Sequence, residues 1–153
     1  MPTLVHSPAE ILAHLLVRVG QCTTVDDDGQ TTGDWPVSAN IERREPDACV
    51  TVYDTEDSSW LVRDLTGDVT GPKPFQLRVA AATNRIARAK AASIYDYLSR
   101  TLDRQFVTVE SRYYEVQCCD NFRKILTLGK ETPTSKRNVV VFNAAVTIVD
   151  MTP

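Results

Sequence analysis

The side chains best suited to nucleophilic or metal chemistry are two histidines, His6 and His14, and four cysteines, Cys22, Cys49, Cys118 and Cys119. A thiol nucleophile needs a base beside it. His6 stands just before the first apolar-periodic segment. His14 lies inside that segment but off the stripe of Ile11 and Leu15, the place of an exposed or boundary histidine. A pair made from a histidine and Cys22 or Cys49 is compatible with the sequence, but no local motif marks it. Sulfur ligands for a metal usually stand two to four residues apart. Here the close pair is adjacent, Cys118-Cys119, and neighbours on a strand point to opposite faces. Buried free thiols are expected, with no metal site.

Carboxylates are densest at Asp26-Asp27-Asp28. The run lacks the alternating spacing and terminal Glu of a calcium loop, so it reads as a solvated loop tip. The six glycines are scattered as turn residues, and none forms a phosphate-cradling loop. No catalytic, metal-binding or cofactor-binding residue is assigned, and no cofactor is expected. One basic face needs weighing. Arg85, Arg88, Lys90 and Arg100 leave the apolar stripe of a helix and could neutralise phosphates. The chain is nevertheless acidic, with net charge −3 and pI near 5.4. Asp96 and Asp103 interrupt the face, and no stacking aromatics are interleaved with it. A solvated or subunit-contacting face is the expectation.

These residues need elements to hold them. Ser7-Pro8-Ala9-Glu10 has the form of a capping box with proline in the first turn, and Gly20 offers a left-handed stop. Between them Ile11, Leu12, Leu15, Leu16 and Val19 recur at helical spacing, which predicts a helix over 8–19. Residues 23–34 read as a loop or hairpin tip. Val37, Ala39 and Ile41 alternate with polar residues as in a half-buried strand, and 48–55 reads as the second arm of a hairpin turned at Glu45-Pro46-Asp47. A loop over 56–74 precedes a strand at 75–79. Thr83 or Asn84 caps a second helix to about Leu102, with Ala87, Ala91, Ile94 and Leu98 inward. Short strands follow around 106–109, 113–116 and 125–128. After a polar loop at 129–138 comes the longest strand, 139–149. It is apolar on both faces and expected to be central in its sheet.

The order predicts an α+β fold: a mixed, largely antiparallel sheet with two main helices packed on one face. At 153 residues and 17.0 kDa, a single domain over 1–153 is expected, large enough to bury roughly 70% of its unfolded surface. No apolar run approaches the ~20 residues needed to span a bilayer. The N-terminus lacks a signal-peptide pattern, so folding in the cytosol and no membrane partner are expected.

Charge divides along the chain. Residues 1–70 hold 4 Lys/Arg and 13 Asp/Glu, a net −9; residues 71–153 hold 13 and 7, a net +6. Folding could interleave the halves and erase the asymmetry. Alternatively, one flank is acidic and another basic, and copies dock head to tail, the contact that closes a ring. Asp26, Asp27, Asp28, Arg85, Arg88, Lys130, Lys136 and Arg137 are the candidate interface residues, with loops 23–34, 56–74 and 129–138 projecting. Loop 129–138 is expected to become ordered on docking.

Three phrases carry a family resemblance: Pro46-Asp47-Ala48-Cys49-Val50-Thr51-Val52-Tyr53-Asp54-Thr55, Phe75-Gln76-Leu77-Arg78-Val79, and Ile94-Tyr95-Asp96-Tyr97-Leu98 at the end of an alanine-rich helix. Over residues 35–103 the chain resembles the tail-terminator or minor capsid (neck) proteins of long-tailed bacteriophages. The resemblance implies a ring-forming, hexameric homo-oligomer in the virion tail or neck, assembled in the bacterial cytoplasm. Such a ring caps the tail tube protein, stops polymerisation and meets a head–tail connector or adaptor protein, with genome DNA passing through without sequence-specific binding. It implies no enzymatic activity. A head–tail adaptor ring is the alternative, followed by a small nucleic-acid-binding regulator and an enzyme using a Cys–His pair.

Overall fold

A computed structural model describes residues 4–25, 34–41, 47–55, 62–63, 69–70 and 72–153. Helix α1 spans Pro8–Arg18. The Ser7 hydroxyl accepts the Glu10 N–H at 3.2 Å, and the Glu10 carboxylate accepts the Ser7 N–H at 3.0 Å, closing the capping box. Gly20, at φ +80, ends the helix. Eleven residues make a marginal helix alone. Burial of Ile11, Leu12, Leu15 and Leu16, each contributing roughly 1.5–3 kcal/mol, holds it in place.

Nine strands follow the order β1 (Val37–Ala39), β2 (Cys49–Asp54), β3 (Val62–Arg63), β4 (Val69–Thr70), β5 (Lys73–Ala81), β6 (Gln105–Val109), β7 (Arg112–Asp120), β8 (Leu126–Lys130) and β9 (Asn138–Asp150), with α2 (Asn84–Asp96) after β5. Seven build one sheet in the order β1-β2-β5-β9-β7-β6, with β8 also on β9; β3 and β4 form a separate pair. The fold is α+β, with a mixed, mostly antiparallel, curled sheet. As its patterning requires, β9 is central: it pairs with β5 along one edge, and with β7 and β8 in succession along the other.

Val140, Phe142, Ala144, Val146 and Ile148 of β9 join α1 and α2 in the main core. Residues one step out of phase, Val139 and Val141, form a second cluster with Cys49 and Ala80. Thr83 caps α2 by accepting the Ile86 N–H, and Ala87 and Ala91 are wholly buried, so the helix lies close on the sheet.

Several sequence expectations need correction. The segments at 37 and 49 are not arms of a hairpin, because β1 and β2 run parallel. Alternation specifies which residues face inward but not the direction of a neighbour. Strand β1 also stops at Ala39, since Asn40 adopts φ +61 and leaves Ile41 exposed. The expected loop 56–74 contains β3, β4 and the start of β5; its other residues, apart from Pro72, lie outside the described residues, as do 26–33 and 42–46. Helix α2 passes at Tyr97–Thr101 into a π turn, closed by the Leu102 N–H on the Tyr97 carbonyl at 2.9 Å. Loop 129–138 shrinks to 131–137 because Gly129 and Lys130 belong to β8 and Asn138 to β9.

Candidate assembly surfaces

The loop expected to become ordered on docking is already internally bonded. Glu131 N–H donates to the Arg137 carbonyl at 3.0 Å, Ser135 N–H to the Thr132 carbonyl at 3.0 Å, and Arg137 N–H to the Ser135 hydroxyl at 3.0 Å. Arg137 is therefore not a projecting docking residue. It is 4% exposed, and its Nη2 donates to Cys49 Sγ at 3.2 Å. Glu131 links it to the sheet, with carboxylate oxygens 3.8 Å from Arg137 Nε and 3.6 Å from Arg78 Nη2. The guanidinium lies over the second apolar cluster because there its charge is paired. Lys130 and Lys136 remain exposed on the β8–β9 hairpin.

The basic helix face is partly committed within the fold. Arg85, Arg88 and Arg100 are exposed, but Arg88 Nη1 donates to Thr127 Oγ1 of β8 at 3.2 Å. Lys90 is half-buried, its Nζ 5.4 Å from the centre of the Trp35 ring. Asp26, Asp27 and Asp28 lie outside the described residues, directly after Val25, which bridges to Val37 at the outer side of β1.

His6 meets a tyrosine and a carboxylate rather than a thiol. Its Nδ1 is 2.8 Å from the Tyr114 hydroxyl, and its Nε2 is 3.5 Å from Glu110 Oε2. Tyr114 is fully buried, so this contact ties the segment before α1 to β7. His14 is half-buried at the margin of α1. Cys22 and Cys49 are buried, and burial pushes the Cys22 thiol up to about 12, with Lys90 opposing the shift. Cys118 is exposed, contrary to the expectation of buried thiols, because it points away from the core that half-buries Cys119.

Among the described residues, no group of three or more His, Cys, Asp or Glu could hold a metal ion, and no helix is long and apolar enough to cross a membrane. An open cleft of about 250 Å³ lies beside Thr55, Pro74, Asn121, Arg123 and Asn143, with no carboxylate, thiol or imidazole in its lining.

Sequence reasoning placed Leu126 and Leu128 in a strand but missed that both stay exposed, at 50% and 56%. Phe106 and Tyr113 also form an outward stack, with centroids 5.4 Å apart. Alternating apolar residues are a signal for a buried face. Leucines that follow the pattern and still meet solvent mark a surface awaiting cover. Set against known proteins, the chain matches no family model and no curated protein.

Proposed function

We propose that this chain is a structural virion subunit, the tail terminator of a long-tailed bacteriophage. Six copies form a ring at the head-proximal end of the tail tube, stop tube polymerisation and present a surface for the head connector. The resemblance over residues 35–103 supplies the family. The observation that carries the ring is the segregation of charge by strand order. The acidic first part of the chain builds β1 and β2 on one side of β9, whereas β7, β8 and β6 from the basic part lie on the other. The two blocks therefore occupy different sides of the sheet, which supports head-to-tail docking between identical subunits.

The exposed Lys130 and Lys136 on the β8–β9 hairpin are the residues offered to the connector. Lys130→Glu/Lys136→Glu should block head joining while rings still cap tubes. A DNA-binding role for α2 is less favoured, since Lys90 sits over Trp35 and Arg88 is bonded to Thr127.

Electron microscopy of the purified protein, alone and mixed with tail tubes, tests the proposal. Rings at one end of each tube are expected, with association weakening as salt rises. A strict monomer at low and high salt, even beside tubes, overturns it. Rings at the head vertex would instead identify a head–tail adaptor. A salt-sensitive mobility shift with duplex DNA and no ring would favour the regulator.

A further inference from the structure

Among the described residues, β8 pairs with β9 along one edge and with no strand along the other. An unpaired edge offers backbone N–H and C=O groups to any strand that reaches it. Proteins usually guard such edges with charges, bulges or cover. Strand β8 has a bulge between Thr127 and Gly129, yet it displays two leucines that are at least half exposed. The flank is basic: Arg85 and Arg88 project from α2, with Arg88 bonded to Thr127, and exposed Lys124 and Lys130 bracket the leucines. Across β9, the other side of the sheet is built from the acidic block, with exposed Asp34 and Asp47 just ahead of β1 and β2.

We infer that the β8 edge is the socket for a second copy of this chain. Leu126 and Leu128 are covered by the acidic β1–β2 side of the neighbour, with Arg85 and Arg88 facing its carboxylates. This deepens the ring assignment and rests on it. Charge complementarity selects the occupant. Two β8 edges meeting each other would set Arg85, Arg88 and Lys130 of one copy against those of the other, whereas the β1–β2 side presents the opposite sign. The contact is therefore heterologous: each subunit has one basic, leucine-bearing side and one acidic side, and repetition closes a ring.

Sedimentation of the purified chain, alone and after incubation with tail tubes, tests the inference using Leu126→Glu/Leu128→Glu. The substitution sets acid against acid and should weaken assembly by about ten-fold or more, with circular dichroism and melting unchanged. Because only one side is lost, the tagged double variant should still retain untagged wild-type chain through its intact acidic side, but not untagged double variant. If the glutamates lower the melt, Leu126→Thr/Leu128→Thr keeps strand propensity and is read in the same way. Assembly of the variants as tight as wild type overturns the β8 socket while leaving the ring intact. Retention of neither partner overturns the head-to-tail arrangement. A wild-type chain that assembles under neither condition removes the ring itself, and this contact with it.

Discussion

Each oxygen of the Asp54 carboxylate serves a different element. Oδ1 accepts the Ala9 N–H in the first turn of α1 at 2.9 Å, and Oδ2 accepts the Asn40 side-chain amide at 2.7 Å. Asn40 Oδ1 in turn accepts the Asp54 N–H at 2.8 Å, which helps hold Asn40 in its left-handed conformation. Asp54→Ala should cost about 2 kcal/mol by removing a helix-end acceptor and stranding the amide. For a chain of this size that lowers the thermal midpoint by roughly 4–8 °C, measurable by calorimetry. The clamp was not legible in the sequence, because its partners stand 14 and 45 residues away and leave no local pattern. Arg137 was misread for a related reason: a basic residue in a polar stretch resembles a solvated one until a carboxylate and a sheet face are found beside it. Arg137→Glu places a carboxylate against Glu131 and should destabilise by about 3–5 kcal/mol, whereas Lys136→Glu should stay within about 0.5 kcal/mol. Denaturant midpoints of the two single variants would separate them. Cys22 adds a dependence on pH. Burial raises its folded pKa from the ordinary 9.0 to about 12, so folded and unfolded thiols are both neutral below pH 9. Above that, the unfolded thiol ionises first, and Cys22 should contribute falling stability from pH 9 towards 12. Cys22→Ala should flatten that part of the stability curve, and Cys118 should react with a thiol reagent well before Cys22 in the native protein.

At the scale of elements, both helices and the sheet strands β2, β5, β6, β7 and β9 were legible because each has a period and recognisable ends. Ser7, Glu10, Gly20 and Thr83 act at the positions their chemistry implies. The direction of β2 was not legible, since period-two alternation is identical in parallel and antiparallel pairs. Nor was the fine structure of the β8–β9 hairpin. Gly129 adopts φ +79 at the bulge, and a Cβ there would meet open space. Gly129→Ala should therefore cost about 1 kcal/mol from backbone strain alone. The loss should appear in equilibrium unfolding, with faster amide exchange in β8 than in β5.

At the scale of the whole molecule, strand order decides whether the charge asymmetry of the sequence survives folding. Composition could state the asymmetry but could not place it, because placement depends on which strands neighbour β9. The exposed leucines of β8 were equally out of reach. Their alternation marked a strand, and only the assembled sheet shows that no described element covers them.

The central place of β9 also constrains how the molecule is made. It is the last strand in the chain, yet it pairs with three others. The segment leading into α1, first to leave the ribosome, is bonded to Tyr114, 108 residues later. A nascent chain can therefore form α1 and local turns but has no continuous sheet until residues 138–150 emerge. Folding should be late and abrupt, with stalled chains lacking β9 cut readily by protease and full-length chains resistant. A subunit completed only at release cannot join a neighbour early.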